Sequence, residues 1–221
     1  MKLFNELIKE GDLCFDIGAN NGNRTSDMLS LQAKVVCIEP QSSCVSKLHE
    51  RYDGNPRVLS IVAKALGAKP GTGVIKISRA HTLSTMSDDF IEKTSKERFD
   101  GVTWENSESI EITTLDELIG VYGKPDFCKI DVEGFEVEVL LGLSIPVGCI
   151  SVEFTPELKE NTFQCIDIVS NLGSYMFNYS EGESGVFTFN EWIDGAQMKE
   201  FLAKNNDFRV SFGDVYMRLS E

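Results

Sequence analysis

Leu13-Cys14-Phe15-Asp16-Ile17-Gly18-Ala19-Asn20-Asn21-Gly22 is the stretch that decides the fold of this 221-residue chain. From Leu13 to Ile17 the residues are apolar except for Asp16, the composition of a central parallel strand covered on both faces. The run stops at a turn from Gly18 to Gly22, and Asn23 to Leu29 reads as the opening of a helix. Strand, glycine turn and helix together bring backbone N–H groups close to a ligand. Asp16 is the departure. A carboxylate at the end of a buried strand is costly unless something pairs with it, and a ligand carrying a positive group would do so.

Outward from that stretch the pattern repeats. Lys34 to Pro40 reads as a second strand ending in an acid, Ser42 or Ser43 as the N-cap of a helix through Val45, Leu48 and Tyr52, and Arg57 to Ala63 as a third strand. Helical crossovers between parallel strands are right-handed, so these three strands should lie side by side with the glycine turn at their carboxyl ends. Gly73–Ser78 and Ser109–Thr114 read as further strands. The polar segment between them, residues 79–109, contains His81 and Trp104 and fits a lid and a disordered surface insertion equally well. Asp126–Asp131 is a strand, Phe135 to Leu143 a helix, Cys149–Phe154 a strand and Phe163–Leu172 a helix. The tail, residues 174–221, is expected to be strand-rich and antiparallel over Tyr175–Tyr179, Gly185–Phe189 and Val215–Leu219, with a helix over Ala196–Lys204. No repeat or linker interrupts the pattern, so one domain over 1–221 is expected.

Composition narrows the function. A net charge of −14 argues against nucleic acid, whose binding needs clustered Lys and Arg. No apolar run has the length of a membrane span, and the N-terminus has no long apolar signal-like core, so a cytoplasmic protein without a membrane partner is expected. The six cysteines lack metal-ligand spacing and read as reduced core residues. Self-association is left open.

Three strands end in acids at one rim of the sheet: Asp16, Glu39 and Asp131, with Glu133 and Glu153 close behind. Glu39 lies about twenty residues beyond the glycine turn, the separation at which a carboxylate meets ribose hydroxyls in doubly wound sheets. An adenosine-containing ligand is expected. The turn misses the G-x-G-x-x-G spacing of dinucleotide sites, and Asp16 would repel a pyrophosphate. It would welcome the ammonium and sulfonium of S-adenosylmethionine, so the electrostatics favour that ligand over NAD.

Asp16-Ile17-Gly18-Ala19-Asn20-Asn21-Gly22 resembles the first motif of class I S-adenosylmethionine-dependent methyltransferases, and Lys129-Ile130-Asp131-Val132-Glu133-Gly134-Phe135-Glu136 resembles the second signature of their FkbM-type family. Ile38-Glu39-Pro40, Ala65-Leu66-Gly67, Leu83-Ser84-Thr85-Met86 and Thr113-Thr114-Leu115-Asp116 sit where that family carries similar segments, so the likeness covers residues 12–155. It implies a Rossmann-like α/β domain: a mostly parallel seven-stranded sheet, helices on both faces, an antiparallel last strand and a small inserted loop or hairpin region. It implies O-methylation of a hydroxyl on a sugar or other small metabolite. The family's pattern has an aliphatic residue at Asn21 and an aromatic one near Arg24; both are polar here.

On that reading Gly18, Ala19, Asn20 and Gly22 wrap the methionine part of the donor, Asp16 attracts its ammonium, Glu39 holds the ribose and Ala65 borders the adenine. Asp131 and Glu133 leave their strand where the methyl group lies, pointing to different sides, and one of them or His81 takes the acceptor's proton. Glu153 and Trp104 are candidates for touching the acceptor. Asp131, Glu133 and Glu153 have oxygen ligands to offer Mg²⁺, but no dedicated spacing supports a metal and none is expected. The rival readings are a nucleotide-dependent oxidoreductase and a non-catalytic module that kept the donor pocket.

Overall fold

The computed structural model describes residues 3–96, 98–204 and 212–220. After a short helix α1 (Phe4–Leu7), strand β1 (Leu13–Ile17) runs parallel to β2 (Lys34–Ile38) on one side and to β7 (Phe127–Ile130) on the other. Its side chains alternate. Phe15 and Ile17 enter a core packed against α5 (Leu115–Tyr122), α6 (Glu136–Leu141), α7 (Lys159–Leu172) and α8 (Gly195–Lys204). Cys14 enters the opposite core, beneath α1, α2 (Asn23–Ser30) and α3 (Ser42–Tyr52). Two covered faces are why β1, β2 and β7 are nearly continuous apolar runs.

The main sheet has the order β3-β2-β1-β7-β8-β10-β9, with β3 at Val58–Val62, β8 at Cys149–Phe154, β9 at Tyr175–Glu181 and β10 at Gly213–Leu219. Strand β10 is antiparallel to both β8 and β9 and lies between them, so the antiparallel strand of the chain's end is internal to the sheet. The strand order reverses between β1 and β7, and a ligand crevice is expected at the carboxyl ends of strands on either side of such a switch.

A second sheet, β4-β6-β5, pairs β4 (Ala65–Leu66) in parallel and β5 (Gly71–Ile77) in antiparallel with β6 (Asn106–Thr113). It is the small insertion that the sequence implied. The described part of the segment between β5 and β6 is structured. It makes a 3-10 turn at His81–Leu83, a bridge from Thr85 to Lys76, and helix α4 (Asp88–Thr94), whose Phe90 is buried against Phe99 and Trp104. Ser87 caps α4, its hydroxyl accepting from Phe90 N at 3.1 Å. Trp104 Nε1 donates to the Leu83 carbonyl at 2.6 Å.

Two local expectations are corrected. Gly185–Phe189 forms no strand: Phe187 packs edge-on against Trp192 and Tyr216, Phe189 against Phe201, and the alternation of aromatics serves two packing surfaces rather than a ladder. The N-cap of α3 is Gln41 rather than Ser42 or Ser43, and its side chain makes no capping bond. Gln41 is held there because its own N–H donates to Glu39, which leaves its amide free to point elsewhere.

Candidate functional site

A cleft opens at the carboxyl ends of β1, β2 and β7. The turn after β1 has three left-handed residues, Gly18 (φ 78°), Asn20 (φ 50°) and Gly22 (φ 79°), and forms one wall of the cleft through the first two. Gly18 and Ala19 both donate their N–H to the Ile38 carbonyl, at 2.9 and 3.1 Å, which ties the turn to the end of β2. That places the Asn20 N–H 2.8 Å from Glu39 Oε2, while Gln41 N–H reaches Glu39 Oε1 at 2.8 Å. Each carboxylate oxygen thus takes one backbone hydrogen bond and keeps lone pairs for a ligand. Burial pushes the Glu39 carboxyl up to about 6, against the lowering effect of those hydrogen bonds.

The other wall is the turn after β7. Lys129, buried in the sheet, forms an ion pair with Asp131, and Asp131, Asp214 and Asp16 hold its ammonium charged despite its desolvation. Glu133 is a non-glycine residue at φ 54°, so the chain has left the extended conformation. The expectation that the Asp131 and Glu133 carboxylates point to different sides is not met. With Glu153 of β8 they converge, one oxygen of each lying within 4.8 Å of the others. That is a ligand set of the kind hard divalent cations take, assembled by folding where linear spacing gave no sign of it. Burial, then the crowding of acids, raises Glu133 and Glu153 well above the usual carboxylate range. Glu136 holds the turn by accepting from Val132 N and Gly134 N, at 3.3 and 3.1 Å, and Thr85 Oγ1 donates to the Glu133 carbonyl at 2.6 Å.

A strap from Ser78 to Met86 crosses the cleft. Its His81 carbonyl accepts from Asn20 Nδ2 at 3.2 Å and from Gln41 Nε2 at 3.1 Å, the two side chains that flank Glu39. The His81 ring meets Asn21 Nδ2 at 3.0 Å through Nε2. With the Asn21 amide nitrogen donating, Nε2 accepts and the ring hydrogen sits on Nδ1.

Of the residues singled out in the sequence, Gly18, Asn20, Glu39, Ala65, His81, Asp131 and Glu133 line the cleft. Others do not. Asp16 is 1% exposed, accepts from Thr25 Oγ1 at 2.5 Å with Lys129 nearby, and is not among the residues that line the cleft. Ala19 is buried on the α2 side, and Gly22 faces α3, where a Cβ would lie 2.5 Å from the Tyr52 ring. Trp104 props the strap from behind through Leu83. Glu153 stands behind the wall, within reach of Asp131 and Glu133. Sequence reasoning missed Gln41, Thr85 and Glu136. For Gln41 a signal existed: a long amide at the start of a helix, where short oxygen-bearing residues are favoured.

The residues fit an adenosine ligand. Glu39 is aimed as a diol acceptor, Gln41 Oε1 and His81 Nδ1 are buried with no protein partner, and both residues line the cleft beside it. Such orphaned polar atoms are costly unless a ligand meets them.

Comparison with known proteins agrees with this geometry. The family model described as the methyltransferase FkbM domain matches residues 16–209. A hexuronic acid methyltransferase, AglP of Haloferax volcanii, is 31% identical over 149 residues, covering 65% of this chain and 55% of its own length, so the chain spans about half of that relative. Among solved structures, a precorrin-6y C5,15-methyltransferase of Geobacter metallireducens superposes with a TM-score of 0.50 at 10% identity, over 99% of this chain and 86% of its own, a likeness of fold. No helix among the described residues is long and apolar enough to cross a membrane.

Proposed function

From the fact that this chain belongs to the FkbM methyltransferase family, we propose that it transfers a methyl group from S-adenosylmethionine to a hydroxyl of a sugar or similar polyhydroxylated small molecule. The observation that carries the reading is Glu39: a buried carboxylate at the end of β2, fixed by two backbone N–H groups, opening into the same cleft as Gly18 and the Asp131–Glu133 turn. When bound, S-adenosylmethionine supplies an electrophilic methyl on a sulfonium. The chain's own residues do the rest. Glu39 and the glycine turn fix the donor's orientation, and the strap and α4 exclude water from the cleft. Glu133, whose proton affinity is raised by burial and by Glu153, accepts the acceptor's hydroxyl proton as the C–O bond forms. Lys129 keeps Asp131 paired beside it. A sugar acceptor is supported by the hexuronic acid named for the Haloferax relative. The family match does not favour an oxidoreductase.

Calorimetric titration with S-adenosylhomocysteine and with NAD⁺ tests the donor assignment, and formation of S-adenosylhomocysteine in a screen of sugars tests the acceptor class. Binding of NAD⁺ without S-adenosylhomocysteine would overturn the proposal. Glu39→Ala is expected to weaken S-adenosylhomocysteine binding by about 1–3 kcal/mol, as for lost charge-assisted hydrogen bonds.

The same residue sets a pH dependence. Glu39 is raised to about 6, so in the empty cleft it carries a proton below that value and loses it above. The diol prefers the carboxylate. Affinity should therefore be flat above about pH 7 and fall as pH drops through about 6, by up to roughly tenfold per unit. In Glu39→Gln that slope should vanish, which titrations between pH 5 and 8 would read directly.

A further inference from the structure

The geometry points to Gln41 and His81 as residues that read the adenosine of the methyl donor, with Gln41 Oε1 accepting a hydrogen from it and His81 Nδ1–H donating one to it. This rests on the donor assignment above and adds to it two further polar groups beside Glu39.

Gln41 is 5% exposed, and its two ends have different fates. Nε2 is committed to the His81 carbonyl at 3.1 Å, which fixes the plane of the amide. Oε1 is then left buried without a protein partner, in a residue that lines the cleft next to Glu39. A buried amide oxygen in that condition loses its hydration and regains nothing until a donor arrives. His81 repeats the arrangement from the strap. Its carbonyl is held by Asn20 and Gln41, its Nε2 by Asn21, and its Nδ1 is buried and unpartnered. The protein has thus used three hydrogen bonds to orient two polar atoms that it does not itself satisfy, one an acceptor and one a donor.

An adenosine offers both complements. Its exocyclic amine and ribose hydroxyls are hydrogen donors for Gln41 Oε1, and its ring nitrogens and oxygens are acceptors for His81 Nδ1–H. The shared chemistry is a hydrogen bond from the nucleoside to Gln41; the amine and the hydroxyls are separable by experiment. Because both residues also pin the strap, donor recognition and strap position rest on the same two side chains.

The test is calorimetric titration of the wild-type chain, Gln41→Leu and His81→Phe with S-adenosylhomocysteine, with S-inosylhomocysteine (6-oxo in place of the 6-amino group) and with 3′-deoxy-S-adenosylhomocysteine. Wild type should prefer S-adenosylhomocysteine over both analogues. Gln41→Leu should bind S-adenosylhomocysteine roughly tenfold more weakly and lose its preference against one analogue while keeping it against the other. The analogue that is no longer distinguished identifies the group that Gln41 reads. His81→Phe should weaken all three ligands by roughly fivefold or more. If Gln41→Leu weakens all three equally, or none, Gln41 only anchors the strap and the inference fails; unchanged affinity in His81→Phe removes the His81 half. Should far-UV circular dichroism show Gln41→Leu unfolded, Gln41→Met takes its place with the same criteria. Failure of the wild-type chain to bind S-adenosylhomocysteine at all is a different result, and overturns the donor assignment itself.

Discussion

Glu133→Gln is expected to lower kcat by about 10²–10⁴-fold, the usual contribution of a positioned general base, while S-adenosylhomocysteine affinity stays within about threefold of wild type. The split follows from position. Glu133 lies in the turn after β7, at the end of the cleft away from the Glu39 carboxylate's hydrogen bonds, and it is one of three carboxylates whose oxygens converge within 4.8 Å. Burial raises its proton affinity first, and Glu153, Asp131 and Glu136 raise it further, against the opposing charge of Lys129. An ordinary carboxylate is a feeble base for an alcohol. One with its pKa displaced upward toward the working pH is better matched to take the proton during the transfer.

The sign of the pH effect follows. The basic form appears only as pH rises through the raised pKa, so kcat should climb with pH over a window above the ordinary carboxylate range, and the Gln variant should lack that limb. Stability should run the other way. A carboxyl whose folded pKa is raised contributes stability that is present at low pH and lost as pH rises through the folded value. Glu133→Gln should therefore melt at the same temperature or higher than wild type at neutral pH and above. An enzyme made more stable and far less active by one isosteric change is the signature of strain kept at a working site. If instead kcat holds in Glu133→Gln and falls in Asp131→Asn, the proton goes to Asp131 and the Lys129 pair has to be weakened in the course of the reaction.

How much of this was legible in the chain depends on what fixes each feature. The sheet was legible because burial on both faces forces continuous apolar runs, and Phe15, Ile17, Cys128 and Ile130 record it in their residue types. The rim position of Glu39 and Asp131 follows from being the first acids after such runs. Convergence of Asp131 with Glu133 was not legible, because alternation along an extended strand sends adjacent odd positions to one face only while the strand lasts, and the left-handed Glu133 ends it. The partners of Asp16 were not legible for a related reason: Thr25 comes from the helix that follows the turn, and Lys129 meets it only through the β1–β7 register. Gln41 lies furthest from sequence reasoning, and His81 was legible only by its residue type. Neither belongs to a periodic pattern, and the hydrogen bonds that orient them span 40 and 61 positions of the chain.

Gly18→Ala is the second large effect, and it probes the contact on which the cleft is built. A Cβ at position 18 would lie 1.8 Å from the Asp131 carbonyl oxygen and 2.9 Å from its carbon, and the residue also sits at φ 78°. The obstacle is backbone, which cannot rotate aside. The turn after β1 is held by Gly18 N to Ile38 O at 2.9 Å, and the turn after β7 by Asp131 N to Ile17 O at 3.0 Å, so making room breaks one of these and moves Glu39 or Asp131 with it. A loss of at least about 3 kcal/mol is expected, well above the approximately 1 kcal/mol of an unfavourable φ alone. For a chain of this size that is a fall in Tm of roughly 6–12 °C, together with loss of S-adenosylhomocysteine binding. Gly54 and Gly101 separate the two causes. Each has φ 80° and nothing within 4 Å of an added Cβ, so Gly54→Ala and Gly101→Ala carry the conformational cost without the clash and should retain donor affinity. Gly22→Ala falls between, because the atoms it would meet belong to the Tyr52 and Leu48 side chains, which have room to shift only by disturbing the Tyr52 hydroxyl's bond to the Gly22 carbonyl. Should Gly18→Ala melt like Gly54→Ala and still bind S-adenosylhomocysteine, the two turns are not in the contact described, and neither the convergence of the carboxylates nor the placement of Glu39 opposite them would stand.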